Sequence, residues 1–488
     1  MSASSNISDK VWKMSTVLKN AGVAYTDYVA QLTYLLFLKM ESENRAYYDE
    51  GIALPDGCAW EDLVDLDGTD LTEKYEAVLA TLSQQNNILG VIYHKARNQI
   101  STPVQLKQVI DMINGQKWAT LDVDVKGQIY ESILDKNASA EKGAGQYFTP
   151  RALIRAIVEV MQPTPGMKIH DPFCGTGGFL LGAFEYIMQQ KPSTEALLAL
   201  KKDGITGNDI TPLVVSLCSM NMYLHGIFSK EDEESKENCP IQCRDTLRTP
   251  EERAFDMILA NPPFGTAANA LDGEKTGELT DDRFFALTSN TQLNALQHIM
   301  FILKSTGRAA VVLPDNVLFE AGAGEQIRKR LLEQCNLHTI LRLPTGLFYA
   351  QGVKANVLFF DRCELDNRKH HTDRVWIYDY RTNIKHTLKQ NPLKRSHLDE
   401  FVACYSAGNL AARTATWSED SPNGRWRSFS YEEIVQRDKT NLDIKWLKEE
   451  TDTIEGTIPE LMQMLEEELT KEQEAFASLK QLLNGLNL

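Results

Sequence analysis

"MKIHDPFCGTGGFLLGAFEYIMQQ", residues 167–190, passes from a short apolar run through a glycine-rich turn into a stretch with helical spacing. Glycines between a strand and a helix let the backbone bend tightly and approach a ligand. The first turn of the following helix offers N–H groups that have no partner inside the helix. This order of strand, glycine turn and helix predicts a pocket of the nucleotide-binding kind.

Two common nucleotide motifs do not fit the turn. A dinucleotide fingerprint needs G-x-G-x-x-G, and counting from Gly175 gives Gly177 and then Leu180 in the last place. A phosphate-binding P-loop needs a Gly-Lys pair, and the chain has none. The sequence therefore excludes an ATP-driven motor of the P-loop class.

Short apolar runs alternate with helical stretches on both sides of this turn. The candidate strands are MKIHD, GITGND, IQCRD, FDMILA, AAVVLP and HTILRLP. Such alternation predicts an α/β fold with a doubly wound, mostly parallel, Rossmann-like sheet covered by helices. In such a sheet ligands bind beyond the carboxyl ends of the strands.

The rest of the chain suggests three domains. Apolar residues at three- and four-residue spacing predict an all-α N-terminal domain over 1–140, and the polar loop DKNASAEKGAGQ at 135–146 marks its end. The sheet domain is expected over 141–410. A helix-rich acidic tail follows, and 411–488 is predicted to dock on a partner or on the chain itself.

Charge and composition limit the partners. The net charge of −16 argues against a protein that coats nucleic acid with its whole surface, so any DNA contact must be local or shared with a more basic partner. One basic stretch, 381–397, holds five Lys and Arg residues and no acid. No apolar run spans a bilayer and no signal peptide is evident, so we expect a cytoplasmic protein without a membrane contact. Its 8 cysteines are interpreted as thiols, and no metal site is predicted.

Acidic residues end two further strand candidates. Asp209 ends GITGND, near the place where a carboxylate would bind a ribose hydroxyl, and Asp245 ends IQCRD, where it could accept from an adenine amino group. Each aspartate alone can also cap the next helix. Together with the glycine turn they favour a nucleoside site.

The strand FDMILA runs into a stiff corner, Asn261-Pro262-Pro263-Phe264. Two consecutive prolines cannot donate backbone hydrogen bonds and are restricted in φ. The simplest interpretation is a strand terminator. Its place after a strand, downstream of the glycine turn, favours a functional role for the corner over that of a simple strand terminator.

Taken together, DPFCGTGGF, the two aspartates and NPPF resemble the amino-group DNA methyltransferases that use S-adenosyl-L-methionine. GQYFTPR at 145–151 narrows the resemblance to the modification (HsdM) subunits of type I restriction-modification systems, where this motif closes over the methionine part of the cofactor. GRAAVVLPDNVLF at 307–319 and RSFSYEEIVQRDKTNLDI near 427–444 extend the similarity over nearly the whole chain.

The resemblance implies roles for individual residues. The corner Asn261, Pro262, Pro263 and Phe264 would be catalytic. The cofactor-binding positions would be Gln146, Tyr147, Phe148, Thr149, Pro150, Arg151, Asp171, Thr176, Gly177, Gly178, Asp209 and Asp245. Thr149-Pro150 before an apolar helix is also an ordinary helix start, and both interpretations can hold together.

The implied reaction is methylation of adenine N6 in duplex DNA, the activity of a site-specific (adenine-specific) DNA methyltransferase. Asn261 Oδ1 and the Pro262 carbonyl would accept from the amine while Phe264 stacks on the extruded base. Cytosine C5 methylation would instead need a nucleophilic thiolate in a Pro-Cys pair, which is absent. Two alternatives stay open: methylation of an amide or amine in protein or RNA, and a non-catalytic assembly subunit.

The resemblance also implies partners. The chain offers no segment assignable to base readout, so a separate specificity (HsdS) subunit would recognise the double-stranded DNA site. Two such modification subunits would assemble with one specificity subunit, and a restriction (HsdR) subunit could join them.

Overall fold

The computed structural model describes residues 13–14, 16–18, 25–48, 52–118, 149–227, 234–249, 254–265, 282–348, 353–364, 366–387 and 391–449. Residues 1–445 form one compact unit and 446–488 a second. Within the described ranges, no helix is both long and apolar enough to cross a membrane.

A nine-stranded sheet organises the first unit, in the order β3-β2-β1-β4-β5-β7-β6-β8-β9. The strands are β1 (Ile169–Asp171), β2 (Ile205–Asp209), β3 (Ile241–Cys243), β4 (Phe255–Ala260), β5 (Leu303–Pro314), β6 (Cys335–Arg342), β7 (Ala355–Arg362), β8 (Arg374–Asp379) and β9 (Trp426–Ser430). All six strand candidates fall on β1 to β6.

Strand directions confirm the doubly wound, mostly parallel sheet. β1 pairs in parallel with β2 and with β4, β2 with β3, β4 with β5, and β6 with β8. β7 is antiparallel to both β5 and β6, and β9 is antiparallel to β8. The chain reverses its direction of winding between β1 and β4, so the loops after these two strands flank the switch point where α/β sheets bind ligands.

The helices cover the sheet and build the N-terminal region. They are α1 (Tyr25–Tyr48), α2 (Glu61–Val64), α3 (Gly68–Ser83), α4 (Ile88–Ile92), α5 (Pro103–Asn114), α6 (Arg151–Met161), α7 (Gly178–Gln189), α8 (Thr194–Ala199), α9 (Pro212–Leu224), α10 (Thr291–Ile302), α11 (Asn316–Phe319), α12 (Ala323–Gln334), α13 (Asp399–Tyr405) and α14 (Tyr431–Val435). Helices α1 to α5 agree with the predicted helical N-terminal region.

Helix α9 belongs to two hydrophobic cores. Leu217, Met220 and Leu224 pack into the core of the N-terminal helices, whereas Cys218 and Met222 pack into the core beneath the sheet. Both faces are therefore covered, which explains why the segment PLVVSLCSMNMYL is apolar nearly throughout and lacks a polar face. The N-terminal helices thus pack directly on a helix of the sheet layer.

The sheet continues beyond the alternating region that suggested it. β7 and β8 lie beyond the last strand candidate, HTILRLP, and β9 lies beyond residue 410, inside the segment 411–488 that we expected to be helical and to dock. Residues 442–449, which also belong to the segment predicted to be helical, are not helical, and 450–488 lies outside the described residues. The ordered sheet therefore takes in part of the segment assigned to docking.

The segment 438–445, which follows β9, is hydrogen-bonded to this unit by two buried arginines. Arg328 donates from Nε to the Thr440 carbonyl over 3.1 Å. Arg342 donates from Nη2 to Asp443 Oδ1 over 2.7 Å and from Nη1 to the Ile444 carbonyl over 3.0 Å. Removing either guanidinium would leave buried carbonyls or a carboxylate without donors, so residues 438–445 belong with the sheet.

Candidate active site

The loops after β1 and β4 lie side by side at one edge of the sheet. Ile169 pairs with Met257, and His170 with Ile258, in parallel register. Because parallel neighbours end at the same edge, the glycine turn after Asp171 and the corner beginning at Asn261 meet there. The structure thus brings the two main sequence motifs together.

The glycine turn has a backbone that other residues would strain. Gly177 has φ +85°, and its N–H donates to the Cys174 carbonyl over 2.8 Å. A Cβ at this position would lie 2.4 Å from Met222 Cε and 2.9 Å from Cys218 Sγ. The left-handed φ therefore favours glycine at 177, and a side chain there would also have to displace the ends of Met222 and Cys218.

Contacts from α9, β2 and α6 hold the glycine turn in place. Asn221 of α9 donates from Nδ2 to the carbonyl of Thr176 over 3.0 Å, and Cys174 N–H donates to the Asn208 carbonyl over 2.8 Å. At Gly178, the first residue of α7, a Cβ would come within 2.8 Å of Ile154 Cδ1. Helices α6 and α9 therefore hold the turn against the sheet.

Two buried carboxylates line the same edge. Asp209 accepts from Gly175 N–H over 3.3 Å and from Thr211 N–H over 2.8 Å, so it links the end of β2 to the glycine turn. Asp171 accepts from Phe173 N–H over 3.0 Å. Burial raises the pKa of Asp209, and burial together with the nearby charge of Asp209 raises the pKa of Asp171.

Asp245 is more exposed than these two acids, with 31% of its side chain accessible. Its Oδ1 accepts from Leu247 N–H over 3.0 Å, and Oδ2 lies 3.5 Å from Arg248 Nε. It therefore caps its own turn, as considered from the sequence, and retains an accessible carboxylate. Its proposed contact with adenine stays a prediction.

The Asn-Pro-Pro-Phe corner is held by the end of the GQYFTPR motif. Asn261 donates from Nδ2 to Thr149 Oγ1 over 3.0 Å, across 112 residues of sequence. Its Oδ1 is buried and has no hydrogen-bond partner among the described residues. Pro262 is buried, whereas Pro263 is exposed. The corner thus presents a fixed, unused amide acceptor.

Phe264, the last residue of the corner, is half-buried beside a second aromatic ring. Its ring meets that of Phe348 edge to face, with centroids 6.3 Å apart. The next residue, Gly265, donates its N–H to Gln292 Oε1 over 3.1 Å at the start of α10. The chain is therefore anchored on both sides of Phe264.

The remaining residues of the cofactor-closing motif are only partly described. Gln146, Tyr147 and Phe148 lie outside the described residues. The Pro150 carbonyl accepts from Leu153 N–H over 2.9 Å and starts α6, so the helix-start interpretation holds as well. Burial lowers the pKa of Arg151 to about 10.

Four side chains at this edge were not predicted from the sequence as part of the site. Asn221 and Met222 support the turn, Phe348 contacts Phe264, and Ile210 is a 53% exposed apolar residue beside Asp209. Ile210 could have been noticed from the sequence, because it directly follows the acid that ends a strand candidate, where such sheets bind ligands. The other three are recognisable only from their contacts in the fold.

Two of the five cations in the basic stretch 381–397 form ion pairs within the unit. Arg381 donates to both carboxylate oxygens of Asp315, each over 2.7 Å. Arg395 forms ion pairs with Glu159 and Asp399. These two guanidinium groups are therefore engaged by carboxylates of the same unit, whereas Lys385 and Lys394 are exposed.

Comparison with known proteins agrees with this geometry. The family model described as "N-6 DNA Methylase" matches residues 121–455, and the one described as "HsdM N-terminal domain" matches residues 7–113. A sheet with a glycine turn at its switch point and an Asn-Pro-Pro-Phe corner beside it thus falls within the class of N-6 DNA methylases.

Similar proteins narrow the class. The type I restriction enzyme StySJI methylase subunit of Salmonella typhimurium is 36% identical over 514 residues, covering 98% of this chain and 94% of its own. The crystal structure of the type I restriction enzyme EcoKI M protein aligns with a TM-score of 0.54 at 33% identity, over 92% of this chain and 90% of that one. A structure described in terms of complex assembly and conformational transition of the type I R-M system aligns with a TM-score of 0.73 at 25% identity, over 100% and 99%. The chain therefore belongs to the N-6 DNA methylases, in the family of type I restriction enzyme methylase subunits, which confirms the resemblance stated from its motifs.

Proposed function

We propose that the chain transfers a methyl group from S-adenosyl-L-methionine to N6 of an extruded adenine in double-stranded DNA. It would act as the modification subunit of a type I restriction-modification system, with a separate specificity subunit choosing the site. The observation that carries this proposal is the buried Asn261 Oδ1, which has no partner among the described residues. A buried acceptor without a donor costs free energy, and a substrate N–H would satisfy it.

The corner suits an aromatic amine. The lone pair on adenine N6 is delocalised into the ring, so the amine is a poor nucleophile until the site localises that pair. Asn261 Oδ1 and the Pro262 carbonyl, both accepting from N6 hydrogens, would make the nitrogen more tetrahedral. The prolines and the Thr149 bond to Asn261 Nδ2 keep the acceptors in place, so little reorganisation accompanies the reaction.

The glycine turn suits the cofactor. Gly177 packs its backbone directly on Met222 and Cys218 beneath the turn, and a glycine turn without side chains lets a ligand approach its backbone closely. Asp209 would accept from ribose hydroxyls, and Ile210 offers an exposed apolar surface for the adenine ring. When bound, S-adenosyl-L-methionine supplies an electrophilic methyl carbon. Gln146, Tyr147 and Phe148 would close over its methionine part.

The aromatic pair suits an extruded base. Phe264 would stack on the adenine, a contact that contributes roughly 1–3 kcal/mol against an unstacking cost of a few kcal/mol. Phe348, edge-on to Phe264 at 6.3 Å between centroids, would limit the tilt of the stacking ring.

The proposed partners follow from two features: no segment of the sequence is assignable to base readout, and the net charge is −16. Arg381 and Arg395 of the basic stretch 381–397 pair with Asp315, Glu159 and Asp399, so these two cations are not free for DNA. We therefore expect two modification subunits to bind one specificity subunit, which would contribute base readout.

The decisive experiment measures radiolabelled methyl transfer by the assembled complex to unmethylated duplex DNA, with RNA and release-factor protein as alternative substrates. We expect label only in DNA, on adenine N6. Label in RNA or protein would support the amide or amine alternative. Cofactor binding by isothermal titration without transfer to any of the three would support a non-catalytic assembly subunit.

A further inference from the structure

We propose that Arg283 is a positioning residue for the adenine end of the cofactor site, through its hold on the 245–249 turn that carries Asp245. The inference rests on the proposed function, because it concerns how the same site recognises the cofactor's base. Asp245 itself would be the contacting group, and Arg283 would act through it.

Arg283 is a buried cation whose donors converge on one turn. The residue is only 4% exposed. Its Nη2 donates to the Leu247 carbonyl over 2.8 Å, and its Nη1 lies 3.0 Å from the Thr246 carbonyl and 2.9 Å from the Thr249 carbonyl. A planar guanidinium can hold several carbonyls at once, which a flexible ammonium group cannot do in the same geometry.

A buried histidine contacts both Arg283 and the 245–249 turn. His298 of α10 is 0% exposed, with Nδ1 3.2 Å from Arg283 Nη1 and Nε2 3.0 Å from Thr246 Oγ1. A guanidinium has only donors, so Nδ1 can only accept from it, sharing the two hydrogens of Nη1 with the Thr246 and Thr249 carbonyls, while Nε2 lies within hydrogen-bond distance of Thr246 Oγ1. Arg283 and His298 therefore fix the turn through its backbone and through its Thr246 side chain.

Asp245 is tied to the same turn. Its Oδ1 accepts from Leu247 N–H over 3.0 Å, and its carbonyl accepts from Thr249 N–H over 2.9 Å. Two of the three residues whose carbonyls Arg283 contacts, Leu247 and Thr249, thus also donate to Asp245. A carboxylate that reads an exocyclic amine needs a defined position, because hydrogen bonds weaken steeply with misalignment.

The test uses two ligands that differ at the amine that Asp245 would bind and at the adjacent ring nitrogen N1, which carries a hydrogen only in the inosyl base. S-adenosylhomocysteine presents an amine donor at position 6 of its base, and S-inosylhomocysteine presents a carbonyl. The full-length wild-type protein should prefer the adenosyl ligand by about tenfold or more in titration calorimetry, because a carbonyl leaves the carboxylate unpaired. Arg283→Lys should bring this ratio most of the way toward one while kcat at saturating cofactor stays near wild type.

Matched variants separate positioning from folding. Arg413, 7% exposed, donates from Nε to the Tyr405 carbonyl over 2.7 Å, so Arg413→Lys makes the same change in another buried arginine. It should lower the melting temperature and leave the ligand ratio unchanged. Thr246→Val breaks the bond to His298 with little change of volume and should lower the ratio less than Arg283→Lys. If Arg283→Lys does not fold, the ligand ratio of Thr246→Val alone tests the proposed role of Arg283.

Each outcome bears on a different claim. A wild-type ratio in both Arg283→Lys and Thr246→Val, or no preference in the wild type, overturns the inference about Arg283 and leaves methyl transfer to DNA untouched. A wild-type protein that binds neither ligand overturns the proposed cofactor, and with it the proposed function. A ratio lost in the Arg283 and Thr246 variants and kept in Arg413→Lys supports the inference.

Discussion

Asn261 and Thr149 share a hydrogen bond, Nδ2 to Oγ1 over 3.0 Å, that joins the corner after β4 to the start of α6. The bond uses the donor side of the amide and leaves Oδ1 buried without a partner among the described residues. One contact thus connects the proposed cofactor-closing motif to the proposed catalytic corner and orients the acceptor.

Asn261→Ala should abolish methyl transfer and leave the dissociation constant for S-adenosyl-L-methionine nearly unchanged, because it removes an interaction made mainly on the way to the transition state. Thr149→Val removes only the bond that orients the amide, so we expect a smaller loss in kcat. Single-turnover methylation and calorimetry check both. Loss of cofactor binding by a folded Asn261→Ala protein would contradict the assigned role.

Gly177→Ala should weaken cofactor binding and lower the free energy of unfolding by more than the backbone strain of about 1–2 kcal/mol, since the new methyl group would meet Met222 and Cys218. Gly166 provides the control, because it has φ +91° against +85° at Gly177 and a Cβ added there would have no atom within 4 Å. Gly166→Ala should show the strain alone, with cofactor affinity intact. Equal effects in chemical denaturation and calorimetry would refute the close packing under the turn.

Cofactor affinity should fall with decreasing pH. A carboxylate accepts from ribose hydroxyls better than a protonated carboxyl does. Burial raises the pKa of Asp209, so the loss of affinity begins at a higher pH than for an ordinary aspartate.

The stability of the unliganded protein should depend on pH through the same group. Because its pKa is raised, the folded state binds the proton more tightly than the unfolded state does. The contribution of Asp209 to the free energy of unfolding therefore decreases as pH rises from the unfolded toward the folded pKa. Asp209→Asn should bind more weakly and flatten both dependences, measured by calorimetry and thermal unfolding across pH.

Phe264→Ala should weaken retention of the extruded base by roughly 1–3 kcal/mol, and Phe264→Tyr should keep much of the activity because the ring face is preserved. Phe348→Leu keeps apolar volume but removes the edge contact with Phe264, so its effect should be smaller. Fluorescence of 2-aminopurine at the target position reports extrusion. An unchanged signal in Phe264→Ala would argue that this ring does not hold the base.

Truncation tests where the docking segment begins. Removing 446–488 should keep the first unit folded and abolish co-purification with the specificity subunit. Removing 442–488 should also destabilise the first unit, because Leu442 is fully buried and Asp443 pairs with Arg342 over 2.7 Å. Co-purification that survives the shorter deletion would place the docking surface elsewhere.

Local sequence patterns were sufficient for the parts of the fold that repeat. The alternation of strands and helices, the glycine turn and the corner all depend on neighbouring residues, so β1 to β6 and the edge where the motifs meet could be predicted. β8 and β9 could not, because they join the far side of the sheet after irregular stretches with no crossover helix of regular length. Their pairing depends on contacts distant in sequence.

Charge patterns were less informative, because composition does not reveal partners. The 381–397 stretch has no acid of its own, yet Arg381 meets Asp315 and Arg395 meets Glu159 from other elements. Phe348 was missed for the same reason, since it comes to Phe264 only through the fold.

The most direct test is a structure of the complete complex with a specificity subunit, duplex DNA and a non-reactive cofactor analogue such as sinefungin. We predict an extruded adenine with N6 about 2.7–3.2 Å from Asn261 Oδ1 and the analogue over the Gly177 turn. A target adenine still paired in the duplex, or extruded with its amine bound away from Asn261, would contradict the proposed role of the corner.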